Sequence, residues 1–403
     1  MDRPASPRPL QILGSDLTPL VQALRTARRV GVDTESDPFH RYFERVCLIQ
    51  ISTEDHDFFV DPLAEGFDQG ALAALLGRED GPEWVLHGAD GDVRALKQSL
   101  GLRLGTLFDT QLAAQFTGQA RTGLKDLLAS LLGVEIDKGE QRSDWGRRPL
   151  SAQQIAYARQ DTQHLVALAA TLEDQLRALG RLGWHEEECG LVRGREPTER
   201  VFDPESWRKI KGSRELRGPG RRALAAAVAW RDEVARAEDC PAFRVVRSEA
   251  LLRLARELDR QFPEAQPDAA SVDFTGSALM NPRVLPKESH RMALFDAVLQ
   301  GLAAPDPGRN RPRPPGASPG KTGAPHTKAL LDRLRAARTE WATELGMDPG
   351  FLMSTAVLEK IARDTPQTVA QLREIPGISE WRCQALGDRI LGLTAVIQAE
   401  KRC

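Results

Sequence analysis

Val-Gly-Val-Asp-Thr-Glu-Ser occupies residues 30–36, and its reading decides the fold of the N-terminal half. An apolar, β-branched run that ends in acids reads as a buried strand arriving at the edge of a core. Residues i and i+2 of a strand share a face, so Asp33 and Glu35 project together into one pocket. Two anions held that close call for a cation. An all-oxygen donor set favours Mg²⁺ or Mn²⁺, and two such ions roughly 3.5–4 Å apart can activate a water and stabilise the leaving oxygen of a phosphodiester. The competing reading is a solvated strand end before a turn.

Outward from this strand, Val46–Ile51 and Phe58–Val60 continue a meander, Glu83–His87 and Leu107–Asp109 add further strands, and a helix opens over Asp92–Lys97. This alternation is that of an α/β domain. Ser151 and Gln154 have capping-box spacing and start a long helix expected from about Ala152 to Leu179. On that helix Tyr157 and Asp161 are four residues apart, hence on one face. Asp90 and Asp92 follow His87 where strand passes to helix; either can face the sheet's carboxyl end or merely cap the helix.

The chain has 403 residues, enough for two or three domains. With 41% hydrophobic and 28% charged residues and no bilayer-length apolar run, it reads as a soluble globular protein with no membrane role. The N-terminus lacks an apolar signal-peptide core, so cytoplasmic residence is expected. Five scattered cysteines without a CxxC pair indicate neither a disulfide framework nor a zinc site. Net charge is −2, but Trp207–Arg236 carries nine Lys or Arg against Glu215, Asp232 and Glu233, a stretch suited to a phosphate backbone.

Taken in order, Asp33-Thr-Glu35, His87-Gly-Ala-Asp-Gly-Asp92 and Tyr157-Ala-Arg-Gln-Asp161 resemble the three exonuclease motifs of the DEDD nucleases, over roughly residues 25–180. Lys138–Leu150 is similar to the segment before the third motif in ribonuclease D. The resemblance implies a ribonuclease H-like α/β exonuclease domain, a mixed sheet flanked by helices, that hydrolyses from the 3′ end. It implies that Asp33, Glu35 and Asp161 bind the metal that activates water, that Asp33 also reaches a second ion, and that Asp92 supports that ion through water. Tyr157 would orient the attacking water. The family's histidine subclass has a His where Ala156 stands here, so the tyrosine subclass is implied. Asp92 is preferred to Asp90 because the family places its acid five residues after a His like His87. Arg142, Trp145, Arg147 and Arg148 can hold substrate by stacking and phosphate contact; a core aromatic and a solvated turn are the equal alternative.

Beyond about Glu196 strand patterns give way to amphipathic helices. Asp203–Ser206 puts an N-cap and a first-turn proline at a helix start. Trp207–Gly212, Ala223–Trp230, Arg247–Ala255 and Asn281–Leu285 are similar to an HRDC domain, and Glu344–Met353 and Leu372–Arg382 to a second. The organisation expected is a catalytic domain over 1–195, small all-α HRDC domains over 202–301 and 326–403, and a mobile Pro/Gly/Arg-rich linker over 303–325. Ile375–Ile378 is a tight turn whose amides either contact phosphate or only reverse the chain. HRDC modules implied by resemblance bind nucleic acid or protein. A chain ending near Arg195 is then expected to keep its chemistry on short strands while losing affinity for long RNA.

The function this implies is trimming of RNA 3′ ends, tRNA precursors foremost, with two divalent cations and nucleoside 5′-monophosphate products. A DNA exonuclease using the same site is the enzymatic alternative, since contacts to the 2′-hydroxyl decide between them. A noncatalytic nucleic-acid-binding scaffold is the alternative from another class, and the presence of all four acids argues against it.

Overall fold

The computed structural model describes residues 8–137, 139–198, 200–262, 271–308 and 325–402. Its chain divides into two compact units. One holds Met1–Ser36, Val46–Pro197 and Ala317–Cys403; the other holds Asp37–Arg45 and Thr198–Gly316.

The first unit contains the expected mixed sheet. Its strands are β1 (Leu10–Leu13), β2 (Arg29–Ser36), β3 (Val46–Ser52), β4 (Asp57–Val60), β5 (Glu83–Leu86) and β6 (Leu107–Asp109), in spatial order β1-β4-β3-β2-β5-β6. The meander β2-β3-β4 is antiparallel, while β1, β5 and β6 join it in parallel. The helices of this unit up to Arg193 are α1 (Thr18–Leu24), α2 (Gln69–Leu76), α3 (Asp90–Leu100), α4 (Thr110–Phe116), α5 (Leu124–Leu127), α6 (Ala152–Thr162), α7 (Leu165–Ala178) and α8 (Leu182–Arg193).

Strand alternation sorts them by face. Val30 and Val32 join Leu20, Leu24, Leu72, Val93 and Leu96 in one core, beneath α1, α2 and α3. The opposite face of β2 and β3 is covered by α6 and α7. With both faces covered, every residue of β3 is buried, as an apolar run without alternation requires.

The helix expected over 152–179 is two helices, broken at Gln163 and His164. Thr162 is tied to the sheet where α6 ends: its Oγ1 lies 2.7 Å from Ser52 Oγ. A Cβ on Gly31 would stand 2.6 Å from the Thr162 carbonyl oxygen. Glycine at 31 therefore lets the helix end descend onto β2, and α7 starts again in a new direction.

The second unit is helical: α9 (Gly218–Ala237), α10 (Ala242–Val245), α11 (Ser248–Gln261) and α12 (Glu288–Ala303) enclose Trp207, Leu224, Leu251, Leu294 and Val298. The helix expected from Asp203 is only a 3₁₀ turn over Ser206–Lys209. Ile210 is extended and Gly212 has φ +93°, so the chain leaves helical geometry before α9 begins. Most of the expected linker, residues 309–324, lies outside the described residues.

The C-terminal helices α13 (Pro325–Leu345), α14 (Pro349–Leu352), α15 (Thr355–Asp364), α16 (Val369–Arg373) and α17 (Glu380–Arg402) belong to the first unit. Leu334, Leu352, Leu358 and Trp381 share one buried cluster with Phe116, Leu128 and Leu172. Trp381 stacks on Trp184 with ring centroids 4.8 Å apart and meets Phe116 edge-on at 5.2 Å. Glu187 accepts the free amides of Glu380 and Trp381 at the start of α17, a favourable place for an anion. This differs from the tethered module expected from the sequence.

Candidate active site

At the carboxyl end of β2, Asp33 and Glu35 lie on the face that α6 covers, and α6 brings Asp161 to them. One ligand oxygen from each of the three, all half-buried, lies within 4.8 Å of the others. The helix delivering Asp161 is fixed at both ends. Ser151 and Gln154 form the expected reciprocal capping box, and the Gln154 amide also donates to Ser143 Oγ at 3.0 Å and to the Asp144 carbonyl at 3.2 Å. Near the other end Arg159 pairs with the buried Asp57 at 2.8 Å.

Confining several carboxylates raises the cost of ionising each. Burial, then the charges of Asp92, Asp161 and Glu35, push Asp33 well above the usual carboxylate range. Burial, followed by Asp161 and Asp92, raises Glu35 to about 9. Asp161 rises to about 7 through burial, opposed by a hydrogen bond from Tyr157. An oxygen-only cluster that resists holding its own negative charge fits a hard divalent cation.

Tyr157, 8% exposed, stands one helical turn before Asp161. Burial and the charges of Asp161, Glu35 and Asp33 push its phenol above the ordinary range, against a hydrogen bond with Gln141. It therefore stays protonated and can donate.

Asp92 sits in the first turn of α3 and accepts from Thr34 Oγ1 at 2.6 Å. Burial raises it to about 6, against that hydrogen bond. Asp90, the alternative, is turned to the surface, where it pairs with Arg94 at 2.9 Å and Arg195 at 2.5 Å.

The substrate-binding residues expected between 142 and 148 need correction. Trp145 is 0% exposed and packs among Cys47, Leu48, Phe59, Tyr157 and Ala158, so no base can stack on it. Arg148 is consumed internally: it grips Asp61 through two nitrogens at 2.6 and 2.7 Å and donates to the carbonyls of Cys47 and Trp145. Both hold the 139–150 segment against β3. Arg142 is exposed.

The cleft over the acids has a volume of about 470 Å³, and its walls add His87, Lys125, Ile136 and Gln141 to the expected residues. His87 Nδ1 lies 3.0 Å from Thr110 Oγ1, and burial lowers its pKa, so it is a neutral wall group. Lys125 is exposed, a cation beside an acidic floor. Nothing in the sequence around Lys125 marks it, and Gln141 lies in the 138–150 segment singled out by resemblance without being marked itself; both reach the cleft from irregular or short elements.

A family profile for 3′-5′ exonucleases matches residues 14–177, and one for the HRDC domain matches residues 327–394. Ribonuclease D of Gluconacetobacter diazotrophicus is 32% identical over 94% of this chain and 90% of its own. Ribonuclease D of Xanthomonas oryzae pv. oryzae is 31% identical over 96% and 98%. The crystal structure of Escherichia coli RNase D, an exoribonuclease involved in structured RNA processing, superposes with a TM-score of 0.66 at 26% identity, covering 95% of this chain and 98% of that one. A protein from Bifidobacterium adolescentis, 19% identical, shares the fold with a TM-score of 0.76 over 96% and 100%. On the strength of the two full-length relatives, the chain belongs to the ribonuclease D family of 3′-to-5′ exoribonucleases.

Proposed function

We propose that the protein trims structured RNA, tRNA precursors among it, from a free 3′ hydroxyl and releases nucleoside 5′-monophosphates in the cytoplasm. Two divalent cations, Mg²⁺ or Mn²⁺, would be held by Asp33, Glu35 and Asp161, with Asp92 at the second. The observation that carries this reading is the convergence of three carboxylate ligand atoms within 4.8 Å in a chain of exonuclease ancestry. The modules serving it are a catalytic domain over 1–195 and helical HRDC modules over 202–301 and 326–403, the central stretch 303–325 joining them.

When bound, the cations lower the pKa of the attacking water and neutralise charge on the departing 3′ oxygen. The chain's own contribution is positional. Asp33 and Glu35 are set by strand register, Asp161 by a helix anchored at both ends, and Asp92 by Thr34. Tyr157, kept protonated with its one hydroxyl proton given to Asp161, would orient the water by accepting from it through the phenol oxygen. Lys125 and Gln141, on the cleft wall, are placed to meet a phosphate and a base or sugar. Arg142 adds a cation beside Gln141.

The test is hydrolysis of matched RNA and DNA oligonucleotides, 3′- and 5′-labelled, with and without divalent metal. Loss of activity in EDTA and in Asp33→Asn and Asp161→Asn, with RNA shortened stepwise from its 3′ end, is expected. Full activity in EDTA or in either variant would sink the metal mechanism, and a preference for DNA would overturn the substrate.

A further inference from the structure

β3 carries two polar residues: Ser52, whose hydroxyl is hydrogen-bonded to Asp57 and Thr162, and Gln50, in Val-Cys-Leu-Ile-Gln-Ile, residues 46–51. Gln50 is 0% exposed. Neither its amide nitrogen nor its amide oxygen has a hydrogen-bond partner, although a buried carboxamide has two donors and one acceptor to satisfy. Apolar residues fill the same strand well, so an amide here costs stability unless something meets it.

Register shows what it stands beside. Gln50 is the direct cross-strand partner of Asp33, and Leu48 that of Glu35. Directly opposed residues of an antiparallel pair put their side chains on the same face. On its other side Gln50 pairs with Phe59 of β4. Leu48 and Phe59 pack with Tyr157 and Ala158 of α6, so this is the face roofed by the helix that carries Asp161. Gln50 therefore lies in the closed floor of the acidic cluster, beside Asp33, out of reach of solvent and of substrate.

We infer that Gln50 is a positioning residue of the cation site: its carboxamide donates to the Asp33 carboxylate, directly or through one water, when a divalent ion is in place, and so holds that carboxylate in its ligating orientation. Groups that hydrogen-bond to a metal's ligands tune affinity without touching the metal. The inference rests on the proposed cation site and adds to it a member that makes no contact with RNA.

The test separates the two. Mn²⁺ binding to the full-length protein is titrated by electron paramagnetic resonance, without RNA, for wild type, Gln50→Met, Gln50→Leu and Asp33→Asn. The apolar isosteres should weaken Mn²⁺ binding by roughly 10–100-fold while the metal-free proteins melt no lower than wild type, because removing an unpaired buried amide relieves a cost. Unchanged Mn²⁺ affinity in a folded Gln50→Met or Gln50→Leu protein, alongside a loss in Asp33→Asn, overturns the role of Gln50 alone. Unchanged affinity in Asp33→Asn overturns the cation site itself. Should neither isostere fold, a crystal structure of the wild type with Mn²⁺ decides: the Gln50 amide linked to Asp33 directly or by one water supports the role, and an amide left apart from it overturns it.

Discussion

Thr34 Oγ1 donates to Asp92 Oδ1 at 2.6 Å, so the residue between the two β2 acids holds the acid supplied by α3. This distinguishes two aspartates that the sequence leaves two positions apart. Asp92→Asn is expected to abolish hydrolysis, and Thr34→Val to reduce it by freeing Asp92 to rotate. Asp90→Asn removes only partly exposed ion pairs with Arg94 and Arg195 and should cost under ~1 kcal/mol. Single-turnover rates for the three variants check this; a dead Asp90→Asn with an active Asp92→Asn would reverse the assignment.

Tyr157→Phe keeps the ring that packs near Trp145, whose centroid is 6.1 Å away, and removes the hydroxyl. A lost water-orienting hydroxyl should lower kcat on the order of 10²-fold with little change in RNA affinity. Equal kcat for the variant and the wild type would leave Tyr157 a packing residue.

Much of this site is legible in the sequence because strand and helix periodicity are local. Asp33 with Glu35, and Tyr157 with Asp161, follow from periods of two and four, and the capping box marks where α6 begins. The assignments that fail depend on tertiary burial. Arg148 and Trp145 look like a solvent-facing basic loop until Asp61 and the apolar groups of β3 and β4 are folded against them. Likewise Gly31 is read as an ordinary strand residue, and only the approach of Thr162 shows why one long helix becomes two.

The perturbed acids set a pH dependence. A carboxylate whose folded pKa lies above its unfolded value stabilises the fold fully below about pH 4 and loses that contribution as pH rises through the folded pKa. Asp92 at about 6, Asp161 at about 7 and Glu35 at about 9 make the window roughly pH 4–9. Protein stripped with EDTA should melt lower at the alkaline end of that window than at pH 5, by at least ~2–4 °C, the shift that about 1 kcal/mol produces in a domain of this size. Saturating Mg²⁺ should flatten the slope, since it favours the ionised acids. Calorimetry across the window, with and without Mg²⁺, measures it; parallel profiles would show that the cluster neither titrates nor binds as described.

Glu188 and Arg382 pair across α8 and α17 with side chains only 12% and 11% exposed, beside the Trp184–Trp381 stack. Removing Glu188 by Glu188→Ala takes the counter-ion from a buried guanidinium that keeps only its bonds to the carbonyls of Phe351 and Leu352 and to Ser379 Oγ, and should cost about 3–5 kcal/mol; Trp381→Ala should cost a similar ~3–5 kcal/mol. A chain ending near Arg195 would expose Phe116, Trp184 and Leu128 together, so it is expected to aggregate rather than retain activity, contrary to what a tethered module suggests. Urea unfolding of the two variants and size-exclusion chromatography of the truncated chain test this. A monodisperse, active truncated protein would show the contact to be dispensable.

The nine cations between Trp207 and Arg236 are not equivalent, and this limits how many can meet RNA. Arg208 is held by Glu205 and by the carbonyls of Pro307 and Gly308, Lys209 by Asp203, and Arg221 by Asp306. Their charge is spent inside the helical unit. Lys211, Arg214 and Arg217 are exposed and, among the described residues, enter no ion pair; Lys211 and Arg214 also line a cavity of about 960 Å³. Each phosphate contact releases counterions and adds about 0.7 to the steepness of affinity against salt for a single strand. Replacing Lys211, Arg214 and Arg217 together by alanine should therefore lower that slope by about 2 and weaken binding, while leaving hydrolysis of short oligonucleotides unchanged. Arg221→Ala should instead lower the melting temperature and leave the slope alone, because its partner is Asp306 and not RNA. The measurement is binding of one tRNA-like substrate across a salt series for both proteins. Equal slopes for the triple variant and the wild type would show that this face does not contact RNA, and a slope change in Arg221→Ala without loss of stability would show that the ion pairs open to admit it.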